Sequence, residues 1–133
     1  MSEMTKEKLE IYYGISSNID AIEAEINTLY KPISSPNGRP NTGRQSSPSS
    51  PTERSAMRII QLRELLESER EKMYDLVEEI ENWLTTVNDT EIVAIIRWHY
   101  LMRLPWNRTN IKVYGYPDYS YSRKRIDRFF GKK

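Results

Sequence analysis

Residues 59–87, IIQLRELLESEREKMYDLVEEIENWLTTV, place Ile59, Leu62, Leu66, Glu69, Met73, Leu76, Ile80, Trp83 and Val87 at alternating steps of three and four. That spacing returns to one helix face every seven residues, so it marks a heptad seam with Glu69 as its polar member. Upstream, Tyr12, Ile15, Ile19, Ile22, Ile26 and Leu29 repeat the pattern, with Asn18, Asp20, Glu23, Glu25 and Asn27 between them. A stripe this narrow needs a partner helix. The two seams predict an all-α chain built on a long antiparallel, coiled-coil-like helical hairpin, or the same seams paired between two chains as a homodimer.

Working outward, helix one is expected over 1–31 and ends at Pro32, which cannot continue a helix. Residues 32–51 hold five prolines and six serines, with Ile33 as the sole apolar side chain. Such a segment has too little to bury to offset its ordering entropy and reads as a flexible linker. Pro48-Ser49-Ser50-Pro51 also has the form of a polyproline ligand, but a connector is the simpler reading of this composition. Helix two, 52–87, is announced by Ser50 as N-cap, Pro51 at the first helical position and Glu53 completing a capping box.

The remaining residues, 88–133, read as three short helices. Asn88 as N-cap with Glu91 opens the first, whose Ile92, Ile95, Ile96, Tyr100 and Leu101 form a wide apolar stripe ending at Arg103-Leu104-Pro105. A second runs from Trp106 or Asn107 to Tyr114 and closes at Gly115. The third starts at Asp118 as N-cap and continues through Phe130.

Charge separates this end from the rest. Residues 97–133 carry ten Lys or Arg against Asp118 and Asp127, whereas residues 1–96 carry ten basic and seventeen acidic residues, so the overall net charge of +1 conceals +8 beside −7. Nine of the fourteen aromatics lie in the same 37 residues, enough for a small core. A folded basic module points to a polyanion, because Lys and Arg on phosphates release condensed counterions.

Three short helices, the last two joined by a tight turn and the last one basic, have the layout of a helix-turn-helix reader of double-stranded DNA. On the last helix, Tyr119, Ser122, Ile126 and Phe129 or Phe130 are expected to face the core. Ser120, Tyr121, Lys124, Arg125 and Arg128 then face outward as base or phosphate contacts, and Arg123, Arg108 and Lys112 are candidates for backbone phosphates. Trp98, Trp106, Tyr114 and Tyr116 are expected in the core rather than as stacking platforms.

The helix start SSPTER, the segment Ile80-Glu81-Asn82-Trp83-Leu84 and the runs EIVAIIRWHYLMRLPW and YSRKRIDRFF resemble phage-encoded late-gene activators of the ArpU and RinA type, over residues 50–133. In that pattern Arg97-Trp98-His99-Tyr100 closes one helix and Trp106 opens a sigma-factor-like reader. The stretch from Trp106 to Gly115 is longer than the compact Trp-x-x-Ile-Ala-x-x-Leu-Gly form of such readers. The resemblance implies a sequence-specific duplex-binding transcriptional regulator that contacts host RNA polymerase in the bacterial cytoplasm. Two alternatives stay open, a small terminase-like DNA packaging factor and a protein-binding inhibitor of anti-defence or anti-repressor type.

An enzyme is not expected. His99 is the only histidine and has no carboxylate three or four residues away on its own face. Glu78, Glu79 and Glu81 read as a solvated helix face, and no glycine-rich phosphate loop occurs. No cofactor or metal is implied. The chain lacks cysteine, and no stretch approaches the roughly 18 apolar residues of a membrane span, so no membrane partner is expected.

Overall fold

A computed structural model describes residues 3–30 and 53–131. The linker 32–51 and the cap signals Ser50 and Pro51 lie outside the described residues. All regular structure among the described residues is helical. None of these helices is long and apolar enough to cross a membrane.

The first helix, α1, spans Lys6–Tyr30. It starts several residues inside the expected span because Thr5 caps it: Thr5 Oγ1 accepts the Lys8 N–H at 3.2 Å and Thr5 O accepts that of Leu9 at 3.3 Å. The second, α2, spans Glu53–Leu84. Its last carbonyls are taken up locally, as the Thr85 and Thr86 hydroxyls donate to Asn82 O and Trp83 O at 2.7 Å each.

The chain divides into two compact units. One comprises Ser17–Glu71 and buries Ile19, Ile22, Ile26, Ile59, Leu62 and Leu66, all seam positions. Glu69 is buried with them. Polar links join its two helical segments: Arg70 to Glu23 at 2.6 Å, Arg58 to Glu25 at 3.1 Å, and Arg63 to the Tyr30 hydroxyl at 2.8 Å. Exposed pairs of this kind add at most about 1 kcal/mol each, so the apolar seam dominates.

The other unit combines Met1–Ser16 with Lys72–Lys133. Its core is Met4, Leu9, Tyr12, Ile80, Leu84, Ile92, Ile95, Ile96, Tyr100 and Ile126, so the beginning of α1 and the end of α2 share one interior with the C-terminal helices. This unit is larger than the module expected over 88–133. Each fully buried aliphatic side chain stabilises it by about 1.5–3 kcal/mol.

Within this unit, α3 spans Thr90–Ile95 and continues as a π-helical turn over Ile96–Leu101. Its N-cap is Asp89, not Asn88: Asp89 Oδ1 accepts the N–H groups of Glu91 and Ile92 at 3.1 and 3.3 Å. The Asp89 carboxylate also meets Arg125, a charge pairing the neutral Asn88 amide cannot offer. The π turn closes with Met102 N–H on Arg97 O at 2.8 Å, after which Arg103 takes the left-handed conformation (φ 60°). Next come α4, Trp106–Tyr114, and α5, Tyr121–Phe129. Gly115, at φ 91°, ends α4 as its position after Tyr114 predicted. The α5 helix starts later than expected, yet Asp118 still holds its entry by accepting the N–H groups of Ser120 and Tyr121 at 2.8 and 2.7 Å.

Candidate nucleic-acid interface

The segment from α4 to α5 is fixed by a buried polar pair. Asn110 and Ser122 are both fully enclosed, and the Ser122 hydroxyl donates to Asn110 Oδ1 at 2.5 Å. The other end of the Asn110 amide donates to Tyr116 O at 2.9 Å, so one side chain ties α4, the intervening turn and α5 together. Buried polar groups are tolerated when bonded, and such bonds specify one geometry. Beside it, Thr109 Oγ1 donates to Leu104 O at 3.3 Å. The apolar periodicity of α4 gave no sign of Asn110. A polar side chain at an inward helical position was the only local signal.

The inward face of α5 matches the expected one at Ser122 and Ile126 but not at Tyr119, which is 73% exposed. Phe129 and Phe130 both meet Trp83, at 6.2 and 5.8 Å between ring centres, although Phe129 stays exposed. Tyr116 also departs from the core assignment and is exposed. Trp98, Trp106 and Tyr114 are half-buried.

Of the residues expected to face outward, Tyr121, Lys124 and Arg128 are exposed and recur three and four apart, which places them on one face of α5. Ser120, at the helix entry, is half-buried, its N–H committed to Asp118. The Tyr121 ring packs edge-to-face on Tyr114, 5.0 Å between centres.

Arg125 does not face outward. Its guanidinium donates to Glu91 at 2.9 Å and to Asp89 at 3.3 Å, leaving the side chain only 21% exposed. Tyr114 donates to the same Glu91 carboxylate at 2.9 Å. The Tyr114 hydroxyl, Glu91 and Asp89 together hold the guanidinium above the usual arginine range. Reciprocally, Arg125 is the main cause of the lowered Glu91 pKa, while backbone bonding at Ile92 leads in lowering that of Asp89. Arg125 thus acts as a strut between α5 and the start of α3. Its partners lie 34 and 36 residues earlier, beyond any local pattern.

On the opposite flank Asp127 pairs with Lys6 of α1 at 2.6 Å, which raises the lysine pKa. Arg123, one turn before Asp127, is exposed and borders a cavity of about 250 Å³ shared with Lys6, Glu10, Tyr13, His99, Tyr100 and Trp106. Arg108 and Lys112 are exposed on α4, four apart, and the Lys112 ammonium lies 5.0 Å over the Trp98 ring. The eight expected contact residues therefore separate into an exposed set on α4 and α5, the half-buried Ser120 and the internal strut Arg125.

His99 is buried. It stacks on Trp106 at 3.6 Å and on Tyr13 at 5.1 Å, and its Nδ1 bonds Leu104 O at 2.7 Å. Burial pushes its pKa below the ordinary histidine value, while the Leu104 carbonyl at Nδ1 acts in the opposite sense. Glu79 and Glu81 are not simply solvated: Lys8 reaches Glu79, and Arg97 makes a two-pronged contact with Glu81 at 2.8 and 2.9 Å. Among the described residues no three His, Asp or Glu side chains come together in a set suited to a metal ion.

No protein-family model, curated protein or solved structure matches the chain.

Proposed function

We propose that the chain is a sequence-specific double-stranded DNA-binding regulator of the phage late-gene activator type. In this reading α4, the turn after Gly115 and α5 form a helix-turn-helix with α5 as the recognition helix. The segments of α1 and α2 in Ser17–Glu71 pair as an antiparallel hairpin that sets protein partners. The ArpU and RinA resemblance adds host RNA polymerase as one such partner.

The observation that carries the reading is how charge is disposed around α5. Tyr121, Lys124 and Arg128 share an exposed face, with Arg123 exposed beside it. The acids of this region are already engaged: Asp118 by the backbone at the start of α5 and Asp127 by Lys6. What is left toward solvent is cationic and aromatic, the combination that suits phosphates and base edges.

The test is selection of duplexes from a random pool by the full chain, followed by titration of the enriched site. Lys124→Ala and Arg128→Ala are each expected to weaken binding by about 1–3 kcal/mol if they read bases, or to lower the salt slope by about one if they hold phosphates. Enrichment of no sequence, or affinities unchanged in both variants, rules the reading out.

A further inference from the structure

Three tyrosines stand exposed around the entry of α5: Tyr116 at 46%, Tyr119 at 73% and Tyr121 at 41%. Tyr119 is engaged by no hydrogen bond, ion pair or ring contact among the described residues. A single exposed aromatic is ordinary. This one differs in how its backbone is held. Asn110 fixes Tyr116 O on one side of it, while Asp118 holds the N–H groups of Ser120 and Tyr121 on the other. The short segment between is therefore pinned at both ends, and Tyr119 projects from a preorganised support.

The same contacts decide what this end of α5 does not do. A free helix N-terminus attracts phosphate, but here the Asp118 carboxylate already accepts the first N–H groups, and a second anion would meet its charge. Recognition at this end falls to side chains. Lys112 on α4 and Arg123 and Lys124 on α5 are exposed as well, and the Lys124 charge is felt at Asp118, next to Tyr119.

Resting on the duplex-binding reading, we infer that Tyr119 reads thymine through its 5-methyl group, with Tyr121 bordering the contact. The thymine methyl is the one apolar group that base edges expose in the major groove, and it suits an aromatic ring. Cations beside it serve the phosphates, so the ring supplies sequence preference that charge alone lacks.

In the duplex selected by the full chain, each thymine is replaced singly by deoxyuridine, which removes only that methyl. At one or two positions the replacement should weaken wild-type binding by about fourfold, the worth of one buried methylene-sized group. The effect should vanish in Tyr119→Ala and persist in Tyr119→Phe, which keeps the ring. Thermal melts of the free variants check that the exposed site leaves the fold intact. If duplexes enrich but no replacement matters, or if it matters equally in Tyr119→Ala, the thymine assignment is overturned while duplex binding stands. If no duplex enriches, both fall.

Discussion

Asn110 is a small side chain with two structural bonds. Its amide and carbonyl reach Tyr116 and Ser122 from a fully buried site. Replacing it by alanine leaves a backbone carbonyl and a hydroxyl without their partner, so Asn110→Ala should lower stability by about 1–3 kcal/mol in urea unfolding. A loss below a few tenths would mean that water replaces the amide. The residue scale is also where reading from sequence was least complete. Helical spacing placed Ser122 and Ile126 inward correctly but set Arg125 outward and Tyr119 inward. Spacing ranks faces by polarity, and an arginine on a polar stripe looks solvated until its distant acids are known. Tyr119 precedes α5 itself, so the helical rotation used to place it does not apply there.

At the scale of elements, α5 is braced on both flanks, by Arg125 against the start of α3 and by Asp127 against α1. The contribution of α1 is the less obvious one. Leu9 is fully enclosed, whereas Ile11, two positions on, is 54% exposed. Leu9→Ala should therefore cost about 2–5 kcal/mol in denaturant unfolding, with Ile11→Ala changing stability by no more than about 0.5 kcal/mol. Equal effects would remove α1 from the core. The heptad seams were legible because the three-and-four spacing of apolar residues is local and directly visible in these stretches: Ile19, Ile22, Ile26, Ile59, Leu62 and Leu66 all proved buried. Periodicity names the face to be covered but not the element that covers it. For that reason the packing of Leu9 and Tyr12 with Ile80, Ile92 and Ile126 could not be read from it.

For the molecule as a whole, proton binding is expected to act in two separate windows. Burial is the leading cause holding the His99 pKa below its ordinary value of 6.5, so its contribution to stability is complete above that pH and declines as pH falls through the depressed value. Asp118, with backbone bonds as the main cause, and Glu81 and Glu91, through Arg97 and Arg125 respectively, are likewise depressed. Their contributions are present above ordinary carboxylate values and disappear only at more acidic pH. Melting temperature followed from pH 8 downward should fall first through the histidine window, and His99→Phe should flatten that first step while leaving the acidic one. A first step that persists in the variant would assign it to another group.

The unit that carries α5 is closed by residues from both ends of the described chain, Lys6 meeting Asp127 and Leu9 sharing a core with Ile126. During synthesis, α1 emerges from the ribosome long before α5 and must wait for it, with its apolar side open to chaperones or to non-native partners. The closing contacts are of high sequence separation, which slows folding because a long loop must be ordered before they form. The native setting of α5 would thus arise only after both α1 and α5 have emerged and joined, and clipping the segment before Ser16 would dismantle the support of a helix more than a hundred residues away.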